Sequence, residues 1–244
     1  MNRKNARLDL ASNTATADPG RGVDAVERAL TLLNVFHNGE TGLSLKRLAA
    51  DSGLNKATIL RLAVSLERFG YLMRDEEGLY HLGPTLWQLG SAFRKNLRLG
   101  PYIRPVLGNL VAVTGESASF YVQRGSSGVC LYRVNSPRLA RDHIEEGEII
   151  PLTLGSSGQV LDAYSIQQGR NVARIRADGF YHSEGERDPE VAGIAAPVFG
   201  PDGMLLGAIS VSGLLSRFTS DKVPMLQEAV CSAAAEIRTR FRAD

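Results

Sequence analysis

Apolar residues recur at three- and four-residue steps in two neighbouring stretches, Leu45-Leu48-Ala49 and Ile59-Leu62-Ala63-Leu66, which is the spacing of a single buried helix face. Ser44 stands before the first stretch and Asn55 before the second. Each is a residue type whose side-chain oxygen accepts a bond from an unpaired first-turn N–H. Gly53 lies between them, where a left-handed backbone costs least without a Cβ. Residues 44–72 therefore predict two short helices joined by a tight turn. The polar positions complete the pattern. Lys46, Arg47 and Asp51 lie outside the first stripe; Thr58, Arg61, Ser65 and Arg68 lie opposite the second, with Lys56 in its first turn.

A second helix so equipped suits the major groove of DNA. There Arg bonds two acceptors of guanine, Thr or Asn meets other base edges, and Lys56 and Arg68 would meet phosphates. A plain helical hairpin with a solvated basic face fits the same residues. The segment after the second helix favours the DNA-binding reading. Tyr71–Arg74 and Leu79–Leu82 are rich in strand formers around the turn at 75–78, giving the wing of a winged helix-turn-helix, with Arg74 and His81 placed to touch DNA. A support helix over Val23–His37 is expected to bury Val26, Leu30, Leu33 and Phe36.

Beyond the wing, Pro84 suits a first helical turn. Leu86, Leu89, Phe93 and Leu97 then form a stripe that Gly100-Pro101 interrupts, so residues 84–100 predict a linker helix. Trp87 falls off that stripe, either against a second subunit or simply exposed. The remainder mixes periods. A helix is expected over Tyr102–Thr114, strands over 117–123, 129–134, 144–151, 180–183, 193–199 and 205–212, a short helix over Gln159–Tyr164, and a last helix from Asp221 to about Arg242. Asp202-Gly203 after Pro201 marks a hairpin turn. The fold class is α+β, an antiparallel sheet flanked by helices behind a DNA-binding module.

The chain has 244 residues, enough for a small domain of about 60 residues and a second of ordinary size. Residues 1–20 are polar and without pattern, as in a disordered tail. The boundaries expected are 1–20, 21–83, 84–100 and 101–244. The net charge of +2 says little until it is divided. Residues 1–98 carry 14 Lys+Arg against 10 Asp+Glu, a net of +4, and residues 99–244 carry 14 against 16, a net of −2. The positive excess lies with the helix-turn-helix, where phosphate neutralisation uses it.

No signal-peptide core and no 18-residue apolar run occur, so a cytoplasmic protein without membrane contact is expected. Cys130 and Cys231 form no disulfide framework, and His37, His81, His143 and His182 show no metal spacing. Neither Gly125-Ser126-Ser127-Gly128 nor Gly155-Ser156-Ser157-Gly158 matches the GxSxG of a serine hydrolase, no phosphate-binding GxxxxGK[ST] is present, and Glu184 with Glu186 is an ordinary acidic pair on a turn. No cofactor and no catalytic residue is expected. A DNA-bridging protein whose second half serves assembly alone is the other alternative.

Two features of the second half suit a ligand. Gly155-Ser156-Ser157-Gly158 precedes the short helix Gln159–Tyr164, so its N–H groups can face a carboxylate at a helix N-terminus. Ser210 and Ser212 sit two apart on a strand and share a face.

From RGVDAVERALTLLNVF and LNKATILRLAVSLERFGYL to PLTLGSSGQVLDAY, GERDPEVAGIAAPVF and GAISVSG, residues 21–244 resemble the IclR family of bacterial transcriptional regulators. The resemblance implies a winged helix-turn-helix reading double-stranded operator DNA, a GAF-like effector domain, a homodimer or homotetramer, and control by a small organic acid or aromatic compound. It also implies an effector site at Ser156, Ser157, Ser183, Gly193, Ser210 and Ser212, with Ile150 and Leu139 as apolar wall. For each serine a helix cap or a small residue in a crowded sheet is the plain alternative. Two positions depart from the family: Gln159, where a lysine is common, and Gly193, where some members carry a bulkier side chain. The DNA-contact residues expected are Ser44, Lys46, Asn55, Lys56, Thr58, Arg61, Ser65, Arg68 and Arg74.

Overall fold

The computed structural model describes residues 22–38, 42–97, 99–200 and 202–240, with backbone alone at 37–38 and 93–97. The expected tail at 1–20, the side chains of His37, Phe93 and Leu97, and Pro201 lie outside the described residues. The chain divides into two compact units at residues 98/99.

The first unit runs α1 (Asp24–Asn34), a 3-10 turn (Val35–Asn38), α2 (Leu45–Ser52), α3 (Lys56–Arg68), β1 (Leu72–Arg74), β2 (Tyr80–Leu82) and α4 (Pro84–Leu97). Both expected caps form. The Arg47 N–H donates to Ser44 Oγ at 3.2 Å and the Thr58 N–H to Asn55 Oδ1 at 2.8 Å, each relieving one unpaired first-turn donor. Gly53 ends α2 in the left-handed region, at φ 70°, which sets the sharp turn into α3. β1 and β2 pair antiparallel, and Leu43 bonds both backbone groups of Tyr80, at 2.9 and 2.8 Å, adding a third short edge. One core unites Leu32, Val35, Phe36, Leu43, Leu48, Ile59, Leu72 and Tyr80.

The support helix differs from expectation. Val26 and Leu30 are 54% and 55% exposed, and the buried side chains are Leu32, Val35 and Phe36, with Leu33 partly covered. Two stripes on this segment satisfy a helical period. The tighter 3-10 turn swings Val35 and Phe36 inward and so selects the stripe through Leu32. On α4, Leu86 is half-buried, whereas Leu89 and Trp87 are mostly exposed.

The second unit is a six-stranded antiparallel sheet in the order β5-β4-β3-β8-β7-β6. Its strands are β3 (Ser117–Arg124), β4 (Ser127–Val134), β5 (Ile149–Pro151), β6 (Tyr181–Glu184), β7 (Val191–Phe199) and β8 (Leu205–Leu214). α5 (Gly100–Thr114) and α8 (Val223–Arg240) pack one face. α6 (Ser156–Tyr164) and α7 (Val172–Asp178) pack the other, over Tyr121, Cys130, Tyr181, Ala195 and Ala208.

Three local expectations need correction. α6 starts three residues earlier than expected, α7 has no counterpart in the sequence reading, and only the last three residues of the 144–151 stretch are strand. The chain before them is held by side chains: Glu148 accepts the Glu145 N–H at 3.0 Å, and a buried arginine grips Asp142. These bonds give the backbone an alternative to a ladder.

Candidate nucleic-acid interface and ligand cavity

In the first unit, packing of Ile59 and Ala63 inward turns Lys56, Ala57, Leu60, Arg61, Val64, Ser65 and Arg68 to solvent, with Thr58 half-buried at the margin. No acid lies in the first turn of α3. Such a face offers guanidinium and hydroxyl donors to base edges and positive charge to phosphates. Lys46 is exposed on α2, whereas Arg47 pairs with Asp51. Ser44 and Asn55 use their side-chain oxygens as caps.

The wing is more self-contained than its sequence implies. Arg74 lies over the Tyr80 ring at 5.1 Å and donates to Gly78 O at 3.2 Å. His81 Nε2 meets Asp75 Oδ2 at 2.7 Å, and this hydrogen bond is the main reason the Asp75 carboxyl titrates below its ordinary value. The residues overlooked in the sequence are Ala57, Leu60 and Val64. A helical projection of residues 56–68 places them between the arginines.

In the second unit, the N-terminus of α6 faces β6, β7 and β8 across a cavity of about 430 Å³ including its open mouth. Ile150, Ser156, Ser157, Ser183, Gly193, Ser210 and Ser212 all line it. Strand register explains the convergence. Ser183 is opposite Gly193, Gly193 opposite Ser212, and Ser210 stands two residues before Ser212 on the same face. Leu139, expected as apolar wall, is not part of the lining and is fully exposed in the loop after β4. Its apolar character gave no hint of which loop residue turns inward.

Tyr121, Leu154, Arg187, Val191 and Ala192 complete the cavity. Tyr121 lies on β3 two positions from Ser119, which pairs with Ser210 of the lining. Arg187, in an irregular turn, carried no periodic signal. Gly193 is needed for close approach, because a Cβ there would lie 2.9 Å from Ser156 Oγ and 3.2 Å from Val211 O.

The polar groups of the cavity fall into two sets. Ser156, Ser157 and Ser210 are each more than nine-tenths buried as residues and line the cavity. Arg187 is exposed at the cavity and has no ion-pair partner among the described residues, and its charge acts on the buried Tyr121 hydroxyl, which burial pushes well above the ordinary phenol range. The second set is satisfied within the protein. Ser212 Oγ donates to Asp142 Oδ2 at 2.7 Å. Glu186 accepts from the Gly155 N–H at 3.0 Å, from Gln159 Nε2 at 2.6 Å and from the Tyr181 hydroxyl at 2.6 Å. Burial, then this bond to Glu186, pushes Tyr181 up to about 12.

The chain's own carboxylate thus takes the first N–H of the α6 terminus. The N–H groups of Ser156, Ser157 and Gly158 remain first-turn donors without intrahelical acceptors. Gln159, at the position of the common lysine, binds Glu186 as a neutral donor and is itself held by Asn171.

Among the described residues no His, Cys, Asp or Glu cluster could hold a metal ion, and no helix is long and apolar enough to cross a membrane.

Comparison with known proteins gives these features a family. Residues 25–76 match the IclR helix-turn-helix domain and residues 166–239 the C-terminal domain of the bacterial transcriptional regulator IclR, together just over half of the chain. The HTH-type transcriptional regulator KipR of Bacillus subtilis is 26% identical over 88% of this chain and 96% of its own length. A crystal structure from Silicibacter sp., of the IclR regulator type, superimposes with a TM-score of 0.75 at 29% identity, covering 89% of this chain and 96% of that one. An IclR homologue from Microbacterium hydrocarbonoxydans, solved in complex with 4-hydroxybenzoate, shares the fold with a TM-score of 0.77 at 20% identity, covering 90% and 100%. The α2–α3 hairpin with its basic face is therefore a DNA-binding module, the second unit an effector-binding domain, and the chain a non-enzymatic member of the IclR family of transcriptional regulators.

Proposed function

We propose that the protein is a cytoplasmic regulator of catabolic or metabolic genes whose hold on operator DNA is set by a small carboxylic acid, aliphatic or aromatic, bound in the Ser156–Ser210 cavity. The observation that carries this reading is the convergence on one cavity of an exposed cation, Arg187, the side chains of Ser156, Ser157 and Ser210, and the first turn of α6. Hydroxyls converging on a cavity favour a polar occupant. A cation and three first-turn N–H groups beside them favour an anion. The 4-hydroxybenzoate bound by the Microbacterium homologue is an acid of this class.

On the DNA side, α3 enters the major groove with Arg61 on a base and Thr58, Asn55 and Ser65 beside it. Lys46, Lys56 and Arg68 meet phosphates, Ser44 orients its backbone at the strand, and Arg74 adds a contact from the wing. A homodimer or homotetramer places two such helices on two half-sites. Since acid and operator bias one equilibrium, each changes the other's affinity by the same factor.

The test is calorimetric titration of the full-length protein with a panel of small carboxylates and their neutral amides. Acids should bind and amides should not, and Arg187→Gln should weaken the best acid by roughly tenfold, the scale of one charge-assisted hydrogen bond. Amides binding as well as acids, or no acid binding at all, would refute the assignment.

A further inference from the structure

The solvent face of α3 is not uniformly polar. Leu60 is 42% and Val64 65% exposed, one helical turn apart, with Ala57 a turn before them. Isolated exposed apolar side chains are ordinary and need no account. These differ in their setting, because they flank Arg61 in the middle of the surface that also carries Lys56 and Arg68, with no acid in the first turn.

That charge argues against an apolar protein surface as the partner and for a polyanion. The major groove offers one apolar group to such a helix, the C5-methyl of thymine. We propose that Leu60 and Val64 receive thymine methyl groups, so that α3 reads each half-site by apolar contact on thymines flanking the base pair bonded by Arg61. The short Ala57 side chain lets the first turn of α3 come close to the base edges. This assigns a specificity role to positions with no hydrogen-bonding capacity, and it rests on α3 being the element that enters the groove.

The experiment uses the full-length protein and the tightest-binding duplex selected by it from random-sequence DNA. Each dT of a half-site is replaced in turn by dU, which removes the methyl group and leaves every hydrogen-bonding atom in place. Binding should weaken about fourfold at one or two positions per half-site, the effect of burying one methyl-sized group. Leu60→Ala and Val64→Ala should each abolish the distinction between dT and dU at its own position. Both substitutions put the best helix former at a solvent-exposed site, so folding should be retained, and a thermal melt checks this. Uniform tolerance of dU overturns the proposal, as does undiminished dT preference in both variants. So does equal loss on dT and dU duplexes accompanied by a changed oligomeric state, which would make Leu60 and Val64 a subunit contact. Arg61→Ala separates the two levels. If it too leaves binding unchanged, α3 is not the helix in the groove; if it weakens binding while dU is tolerated, α3 is in the groove and the thymine contact alone is wrong.

Discussion

The Ser212 hydroxyl donates to the Asp142 carboxylate at 2.7 Å, across 70 residues of sequence. Asp142 spends its other oxygen on Arg133 Nη2 at 2.9 Å, and the two side chains are 1% and 3% exposed. Arg133 is satisfied further by Ser119 Oγ at 2.9 Å and Asn135 Oδ1 at 2.8 Å. The loop after β4 is thereby fastened to β3, β4 and β8, and one cavity hydroxyl is oriented by a charge it never exposes.

Asp142→Ala removes one partner of this pair and leaves a buried guanidinium uncompensated. The expected loss is about 3–5 kcal/mol of stability, far beyond what a surface ion pair contributes. Denaturant titration checks this, and a loss below about 1 kcal/mol would mean that water reaches Arg133.

For the DNA face, Arg61→Ala should cost about 1–3 kcal/mol and relax preference at one base pair. Lys56→Ala should instead weaken all duplexes alike and reduce the salt slope by about one. Binding isotherms on the selected duplex at several salt concentrations separate the two. An Arg61 variant with unaltered base preference would move the reading role elsewhere on α3.

Local chemistry made much of this legible in the sequence. Ser44, Gly53 and Asn55 act through neighbours three or four residues away, and each does in the structure what its type implies. Strand alternation put Ser210 and Ser212 on one face. What stayed hidden depends on distant contacts. Val26 and Leu30 had the right period on the wrong side of α1, because only packing against α2, α3 and the 3-10 turn decides between two stripes. Arg187 and Leu139 lie in irregular segments, where no periodicity says which side chain turns to the cavity. Glu186 read as an ordinary solvated acid, and it became a helix-terminal acceptor through Gly155, 31 residues earlier.

Gly193→Ala tests the close packing of the cavity. The added methyl would fall within 2.9 Å of Ser156 Oγ, so the hydroxyl has to rotate away. Stability should fall by about 1–3 kcal/mol, since the methyl also crowds the Val211 carbonyl at 3.2 Å in a packed sheet. Affinity for the acid should fall by roughly tenfold through loss of one hydroxyl contact. An unchanged affinity would show that Ser156 does not touch the ligand.

The two thiols should differ little from inert side chains in the native state. Cys130 is fully buried and burial pushes its thiol up to about 12, while the half-buried Cys231 is raised by the same cause. A thiolate-specific reagent at pH 8 should therefore label the native protein slowly, and should label both cysteines at once in denaturant, because the thiolate is the reactive species. Rapid labelling of Cys130 before unfolding would indicate local opening of β4.

His182 predicts how stability responds to acid. It stacks on Phe218 with centroids 6.1 Å apart, and its Nε2 is buried without a hydrogen-bond partner, Glu184 Oε1 lying 3.5 Å away. Burial lowers its pKa below 6.5, assisted by Arg174 and opposed by Glu184, and burial is the largest of these effects. With the folded value depressed, the unfolded chain binds the extra proton first. The contribution of neutral His182 is present in full above pH 6.5 and is lost as the pH falls from there through the folded-state value. The midpoint of thermal unfolding should thus decline more steeply below pH 6.5 in the native protein than in His182→Gln, which has no proton to gain. Parallel declines in the two proteins would place the acid sensitivity in the carboxylates instead.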